Sequence, residues 1–499
     1  MSNGIFRTKS IEQTLRDTEE PEHQLKKNLG ALDLIVFGVG VCIGAGIFVL
    51  TGQAAASNAG PAISISFLIA GLGCALAALC YAELASTVPA AGSAYTYTFA
   101  TMGELLAWII GWDLILEFTV GAAALATSFS QYLGVVLSGT PFEIPEAIAT
   151  AEKGYLNLPA GLLVIGLTIV LITGIKLSSH INQVVTAIKV LVVLAVIVVG
   201  VFFINVANWS PFVPPAEAPA EASGGALHLP LVQSLFNLDP SVYGVGGIFA
   251  AAAMVFFAFI GFDVVATTAE ETRNPQRNMP IGIFGSLAIV TVLYIAVSLV
   301  ITGMQSYEDI DPADGAPLAT AFDAVGLPVM GNLIAIGACI GLIVVCMILF
   351  LGQTRVGFAM ARDHLLPIGL AKTHPRFGTP YRFTLLAAVP ITILATFVPL
   401  STLAELVNIG TLAAFILVSI GVMVLRRTRP DLERSFRVPW VPVIPIAAVV
   451  VCFYLMLNLA LETWIRFIIW LAIGFIVYFA YSRQHSRLNT PATPEPTIK

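Results

Sequence analysis

Residues 38–46 read Gly-Val-Gly-Val-Cys-Ile-Gly-Ala-Gly and lie inside one apolar stretch that runs from about residue 31 to 57. A second apolar stretch begins with Gly-Val-Gly-Gly at 244–247 and reaches Phe-Phe-Ala-Phe-Ile-Gly-Phe-Asp at 256–263. Glycine costs about 1 kcal/mol in a helix interior. Clusters of glycine inside two long apolar helices therefore predict that both helices are interrupted. Close packing of neighbouring helices is the alternative explanation for the same glycines.

The composition of the whole chain places these stretches in a membrane. Only 11% of the 499 residues are charged, 57% are hydrophobic, and the mean hydropathy is +0.89. A soluble globular chain carries roughly 25% charged residues, so this composition excludes a cytosolic enzyme, a nucleic-acid binder and a disordered scaffold. It predicts an all-α polytopic membrane protein.

The number of membrane spans follows from the length of the apolar runs. A hydrocarbon core of about 30 Å needs roughly 20 apolar residues per helix. Twelve runs meet this requirement, at about 31–57, 61–88, 102–136, 159–175, 182–204, 244–269, 281–304, 329–352, 383–399, 402–425, 440–460 and 463–482.

The placement of positive charge predicts the orientation. If the N-terminus is cytoplasmic, 21 of the 24 Lys and Arg residues fall in segments on the cytoplasmic side, and the long outer loops 205–243 and 305–328 contain none. Positive charge accumulates on the inner side of membrane proteins. We therefore expect both termini to be cytoplasmic, in a protein of the plasma (inner) membrane. The loop 205–243 and the tail from Arg483 are rich in polar residues or proline, and we expect them to be poorly ordered.

The two interruptions occupy equivalent positions if spans 1–5 and 6–10 are repeats, and a repeat with an odd number of spans is necessarily inverted. Such inverted repeats place broken helices around a binding site at the middle of the membrane. The predicted organisation is a cytoplasmic segment 1–28, a first repeat 29–204, an extracellular loop 205–243, a second repeat 244–425, helices 11 and 12 at 426–482, and a cytoplasmic tail 483–499.

Broken helices offer chemistry that suits one class of ligand. The N-terminal end of a half-helix has unpaired N–H groups and a positive dipole end, which bind a carboxylate. An unwound segment offers free carbonyl oxygens, which bind an ammonium group. A site with both features is complementary to an α-amino acid, and glycine lets the ligand approach the backbone.

Several motifs resemble a known family. Besides the two glycine segments, they are Leu-Cys-Tyr-Ala-Glu at 79–83, Val-Pro-Ala-Ala-Gly-Ser-Ala-Tyr at 88–95, Gly-Trp-Asp-Leu-Ile-Leu-Glu at 111–117, and the run from Gly261 to Pro280. Together they resemble the amino acid–polyamine–organocation superfamily, and within it the cationic amino acid transporter branch with its bacterial members. The likeness extends from about residue 30 to 480.

The resemblance implies a five-plus-five inverted repeat with helices 1 and 6 unwound, plus two extra helices. It implies that backbone groups of Ile43, Gly44, Ala45 and Gly46 bind the substrate carboxylate. Carbonyls of Phe257, Ala258 and Ile260 would bind the α-amino group, with Phe257 as an aromatic gate. Met347 on span 8 is a further candidate for the side-chain pocket, with helix packing as the alternative explanation.

Charges inside the spans are candidates for energy coupling. Lys189 is the only basic residue deep in a span, where a charge costs at least about 2.5–3.5 kcal/mol, so it should be paired or neutral. In proton-coupled relatives a lysine on span 5 occupies the place of a sodium ion, which favours protons as the coupling ion. Glu117, which shares a helix face with Asp113, and Asp263 are candidate partners in proton transfer. Glu83, Glu270 and Glu271 lie at cytoplasmic ends of spans and are candidates for an inner-gate network with Arg273 or Arg355.

We therefore expect a secondary active transporter that imports cationic and/or small neutral L-amino acids by proton symport. An amino acid exchanger is the main alternative, and a channel or a sugar or drug transporter fits the sequence less well. No enzyme activity, cofactor or metal site is expected, since the Cys and His residues form no ligand pattern. The expected partners are the amino acid, protons and membrane lipid, with no nucleic acid. A small membrane protein partner stays open.

Overall fold

A computed structural model describes residues 7, 29–87, 93–151, 154–174, 179–218, 225–236, 242–266 and 268–489. Most of these described residues are helical, and none of them belongs to a β-strand. The predicted all-α class is therefore confirmed. We label the helices of twelve or more residues as α1 (Ala31–Cys42), α2 (Ile63–Thr87), α3 (Glu104–Leu137), α4 (Leu158–Ile172), α5 (Ser179–Gly200), α6 (Gly244–Val255), α7 (Pro275–Met304), α8 (Pro328–Arg362), α9 (Tyr381–Phe397), α10 (Leu400–Thr428), α11 (Val443–Leu457) and α12 (Leu461–Val477).

Most of these helices have the length and composition of membrane spans. Within the described ranges, eight helical stretches are long and apolar enough to cross a membrane, and four shorter apolar helices accompany them. This is the construction of a multi-pass membrane protein. The arrangement of twelve crossings in two inverted repeats stays a prediction.

The first predicted interruption is present. Helix α1 ends at Cys42, and Ile43 has an extended backbone with ψ 92°. The chain becomes helical again at Ala45 and continues through the wide turn Gly46–Leu50. Residues 43–45, which were predicted to bind a ligand through their backbone, thus lie at the break itself.

The second interruption is present as well. Helix α6 ends at Val255 and is followed by a tight 3₁₀ turn over Phe256–Phe259. Gly261 then adopts φ 129°, a conformation that side chains strongly disfavour. The short helix Phe262–Ala266 resumes after it. A glycine is therefore required at position 261 for this break to form.

Helix packing accounts for some of the other glycines. A Cβ atom on Gly38 would lie 2.6 Å from the Cβ of Ser286 on α7, and one on Gly40 would overlap the hydroxyl of Thr186 on α5. Both explanations of the glycine cluster therefore apply, because Gly38 and Gly40 permit close packing in front of the break. Helix α7 packs against α1 and α2, while α8 packs against α3.

The expected disorder of the loop 205–243 is wrong for the parts that the structure describes. Trp209 donates a hydrogen bond from its indole to the carbonyl of Leu299 at 3.3 Å. The backbone amide of Asn205 donates a hydrogen bond to the carbonyl of Gly303 at 2.9 Å. These bonds hold the first part of the loop on the end of α7. The tail is helical at Arg483–His485. The predictions for residues 1–28 apart from Arg7, for 219–224 and 237–241, and for 490–499 lie outside the described residues.

Candidate functional site

The two interruptions meet. A Cβ atom on Gly46 would overlap the Cα of Ala258, so the backbone after the first break lies directly against the 3₁₀ turn of the second. Backbone cannot move aside as a flexible side chain can. Only glycine at position 46 permits this approach, which brings the free backbone groups of both breaks into one region.

The first break supplies hydrogen-bond donors. The first N–H groups of any helix have no intrahelical partner and form the positive end of its dipole. The helix that restarts at Ala45 therefore presents the amides of Gly44, Ala45 and Gly46 in this way. These amides can bind an anionic group such as a carboxylate.

A small cavity lies at the meeting point. The three residues that present these amides, Gly44, Ala45 and Gly46, contribute to its wall. The remainder of the lining is apolar or weakly polar and carries no charge, namely Val41, Cys42, Leu125, Phe257, Ile260, Val345 and Leu349. The cavity is therefore polar at the backbone of the first break and apolar elsewhere.

The structure brings together five of the eight residues predicted to bind the ligand. Gly44, Ala45, Gly46, Phe257 and Ile260 line the cavity. The other three predicted residues lie close by but do not line it: the carbonyl of Ile43 faces α5, Ala258 packs on Gly46, and Met347 is buried on α8.

Sequence reasoning missed the apolar part of the wall. Val345 and Leu349 on α8 and Leu125 on α3 border the cavity, and their types do not distinguish them from ordinary packing residues. One signal was available for two of them. Val345 and Leu349 are four residues apart and share a helix face, whereas Met347 between them points elsewhere.

Tyr294 on α7 joins the two breaks. Its hydroxyl oxygen lies 2.7 Å from the carbonyl oxygen of Cys42 and 2.8 Å from that of Ala258. A phenol has one proton to donate, so it can satisfy only one of these carbonyls at a time. The other carbonyl remains available as an acceptor at the edge of the site.

Lys189 on α5 also binds the first break. It is 1% exposed, and its ammonium group donates to the carbonyl of Gly40 and, at 3.1 Å, to that of Ile43. Helix α8 makes room for it, since a Cβ atom on Gly341 would overlap the Lys189 side chain. The lysine thus fills the space that these carbonyls would offer to a cation.

The two acids predicted to take part in proton transfer, Glu117 and Asp263, are buried, as is Asp113. Neither carboxylate oxygen of Asp113 has a hydrogen-bond partner among the described residues, and the side chain faces Gly410 on α10. Glu117 is 1% exposed and lies on the same face of α3. Asp263 accepts a hydrogen bond from the amide of Gly261 at 3.0 Å, and so caps the restarted helix. No ion pair joins Lys189 to any of these acids, all of which the structure describes.

Glu83 has partners other than the expected ones. Its carboxylate receives two hydrogen bonds from Arg426, at 2.9 and 2.7 Å, and one from the amide of Val438 at 2.7 Å. Arg434 lies 3.4 Å away, and burial lowers the pKa of its guanidinium while Glu83 acts in the opposite direction. Within the predicted inner-gate network, Arg355 approaches Glu271 at 3.9 Å rather than Glu83.

A multi-pass helical protein whose two interrupted helices enclose a buried cavity is a membrane transporter in its construction. The comparison with known proteins agrees. Residues 29–480 match the family model described as amino acid permease. The chain therefore belongs to the amino acid permease family, and it is a transporter rather than an enzyme. The resemblance to the amino acid–polyamine–organocation superfamily is confirmed.

Relatives of known name cover nearly the whole chain. The methylthioribose transporter of Bacillus subtilis (strain 168) is 44% identical over 98% of this chain and all of its own length. The branched-chain amino acid permease BcaP of the same organism is likewise 44% identical over 98% of this chain and 100% of its own. The vacuolar cationic amino acid transporter 4 of Arabidopsis thaliana is 31% identical over 98% of this chain and 97% of its own.

Proposed function

We propose that this permease imports neutral amino acids with apolar side chains by proton symport across the plasma membrane, with both termini cytoplasmic. The observation that carries the proposal is the composition of the cavity wall. Free amides lie on one side of the cavity and uncharged, largely aliphatic side chains on the rest. An α-carboxylate and an aliphatic side chain match these two surfaces.

The backbone would recognise the part that all amino acids share. The amides of Gly44, Ala45 and Gly46 would bind the carboxylate. The carbonyl of Cys42 or Ala258 that Tyr294 leaves unsatisfied would accept a hydrogen bond from the α-ammonium group. Phe257, which borders the cavity, would cover the bound ligand as a gate.

The apolar wall would select the side chain. A cationic substrate would bury its distal charge, and an unpaired buried charge is strongly unfavourable. None of the lining residues, all of them described, carries a carboxylate to pair with it. The name of one relative, a branched-chain amino acid permease, supports the same preference. The name of another, a cationic amino acid transporter, supports the alternative of a cationic substrate.

Proton coupling would depend on Lys189. Its ammonium binds the two carbonyls of the first break without an anionic partner. A charged hydrogen bond is roughly twice as strong as a neutral one, so loss of the proton would weaken the link between α5 and the break and permit rocking of the helices. The ammonium would also repel a sodium ion from this place. Glu117 and Asp263 are the further candidates for proton transfer.

The test is uptake of labelled leucine, alanine and arginine into proteoliposomes of the purified protein, with and without an inward proton gradient. We expect leucine to accumulate only with the gradient. Lys189→Ala should abolish this accumulation and retain counterflow exchange, whereas Lys372→Ala, in an exposed cytoplasmic segment, should behave as the wild type.

The other functions predict different results. Uptake that ignores the gradient and requires amino acid inside the vesicle would identify an exchanger and exclude our role for Lys189. Accumulation of arginine alone would identify a cationic substrate. Unlabelled methylthioribose is included as a competitor because of the name of one relative; stronger competition by it than by leucine would overturn the amino acid assignment.

A further inference from the structure

Thr186 on α5 has a hydroxyl group that no other described residue satisfies. The residue is 3% exposed, and among the described residues nothing accepts or donates a hydrogen bond at its oxygen. Threonines in other helices donate to a carbonyl of the preceding turn, as Thr168 does to Val164 at 2.7 Å. The free hydroxyl of Thr186 is therefore unusual for a buried threonine in this protein.

The hydroxyl is directed at Gly40, since a Cβ atom on Gly40 would overlap it. The carbonyl of the same glycine accepts a hydrogen bond from Lys189. Thr186 and Lys189 are three residues apart on α5, so their side chains lie on adjacent turns. An unsatisfied polar group thus lies next to the lysine that we assign to proton coupling.

A second polar step leads from Thr186 toward the start of α1. Gln183, again three residues earlier on α5, donates a hydrogen bond to Asp33 at 3.1 Å. The other oxygen of Asp33 accepts from the amide of Gly30 at 2.9 Å. Asp33 and Gln183 are both half-buried, so they lie between the buried interior and the surface at this end of α1.

We propose that Asp33, Gln183 and Thr186 form the pathway by which Lys189 returns its proton to the cytoplasm. We call these three residues the α5 polar path. The inference rests on the proton coupling proposed above and adds the route of the proton. Each three-residue step along α5 rises about 4.5 Å along the helix axis, and bridging water molecules would complete the hydrogen bonds between successive side chains.

The chemistry needs only proton transfer. The Lys189 ammonium gives a proton to a bridging water, and becomes a neutral amine. The hydroxyl of Thr186 can accept one hydrogen bond and donate another, so it passes the charge on while its own proton is replaced. The amide of Gln183 orients the next water, and the Asp33 carboxylate accepts the proton and releases it to bulk water.

Other titratable groups near this region are few. Cys42 and, beyond it, Asp263 lie on the cavity side of Lys189 and contribute to the same local field. At the Asp33 end of the path, Glu271 is paired with Arg355 at 3.9 Å. Helix α7 presents Gly282 and Ser286 opposite α1, and its Tyr294 contacts the carbonyl of Cys42, while α8 presents Gly341 opposite Lys189.

The test compares two activities of the same proteoliposomes. Proton-driven leucine accumulation requires the lysine to lose its proton in every cycle, whereas counterflow exchange does not. The variants are Thr186→Val, which removes the hydroxyl at nearly constant shape, and Asp33→Asn, which keeps an oxygen for the Gly30 amide but removes the acid. Thr186→Ser retains the hydroxyl, and Thr168→Val is a matched control on α4, where the hydroxyl is satisfied within its own helix.

We expect Thr186→Val and Asp33→Asn to keep counterflow within about twofold of the wild type and to lose proton-driven accumulation by about tenfold or more. Entry of protons with leucine, followed with a pH-sensitive dye inside the vesicles, should fall in parallel. Thr186→Ser and Thr168→Val should behave as the wild type.

The opposite results overturn the inference. Normal accumulation in Thr186→Val would mean that proton transfer does not need the hydroxyl. Equal loss of counterflow and accumulation would mean that the hydroxyl is structural. If Asp33→Asn accumulates leucine normally, the acid is not the exit. Failure of the proposed symport has a separate signature, because the wild type itself would then show no gradient-dependent accumulation.

Discussion

Leu349 and Met347 lie two residues apart on α8 and are both buried, yet only Leu349 borders the cavity between the two interrupted helices. They form a matched pair for the question of what selects the substrate. Truncation of either side chain to alanine removes a similar buried volume and costs about 2–5 kcal/mol of stability. Their effects on substrate choice should differ.

We expect Leu349→Ala to enlarge the cavity and to shift the substrate preference toward amino acids with larger side chains. Competition of labelled leucine uptake by unlabelled alanine, leucine and phenylalanine measures this preference. Met347→Ala should lower the thermal midpoint without changing the order of competitors. An equal shift of preference in both variants would contradict the assigned wall and would restore Met347 as a pocket residue.

A second prediction concerns the contact between the breaks. In Gly46→Ala the new methyl group would overlap the backbone of Ala258. Overpacking of this kind costs about 1–3 kcal/mol, and here it would also separate the amides from the carbonyls of the site. We expect a lower thermal midpoint and loss of both uptake and counterflow.

Gly166→Ala on α4 is the control for this substitution. A Cβ atom at position 166 meets nothing within 4 Å, so helix propensity alone should favour alanine there by up to about 1 kcal/mol. Normal transport by Gly46→Ala in protein that unfolds at the wild-type temperature would show that the two breaks do not depend on this contact.

The positions of both breaks could be predicted from sequence because backbone geometry demands particular residues. Gly261 adopts φ 129°, and Gly46 lies against the backbone of Ala258. Only glycine meets either condition, so the sequence itself marks both positions. The apolar wall could not be predicted, because Leu125, Val345 and Leu349 border the cavity only through the way α3 and α8 pack, which their residue types do not reveal. The partners of Glu83 were missed for a related reason, since Arg426 and Arg434 lie more than 340 residues away in the chain.

A third prediction concerns Tyr294. Tyr294→Phe removes the hydroxyl that donates to the carbonyls of Cys42 and Ala258. A buried carbonyl left without a donor costs about 1–3 kcal/mol, and both of these carbonyls flank the proposed ammonium site. We expect a lower thermal midpoint and weaker leucine binding, measured as a smaller stabilisation of the protein by added leucine.

Tyr132→Phe is the matched control, because the Tyr132 hydroxyl is also buried and donates to a single carbonyl, that of Phe48, at 2.6 Å. It should lower the thermal midpoint by a similar amount while leaving the stabilisation by leucine intact. If both variants respond to leucine as the wild type does, Tyr294 is a structural link only.

The last prediction separates a structural role for Glu83 from a gating role. Its fully buried carboxylate binds Arg426 and Arg434, which join the end of α10 to the segment that leads into α11. Removal of one partner from a buried ion pair costs about 3–5 kcal/mol, because the other charge stays buried without compensation. We therefore expect Glu83→Gln to lower the thermal midpoint strongly.

Glu462→Gln on α12 gives the comparison, since its pair with Arg466 is partly exposed and such surface pairs contribute about 0–1 kcal/mol. Suppose that Glu83 serves only to join α10 to the segment between α10 and α11. In that case the folded Glu83→Gln protein should transport leucine, at low temperature, at close to the wild-type rate per molecule. A gate would behave differently: the transport rate would change at a temperature where the variant is fully folded. Rates measured well below the thermal midpoint therefore decide between the two roles, and the direct contacts of Glu83 with both arginines favour the structural one.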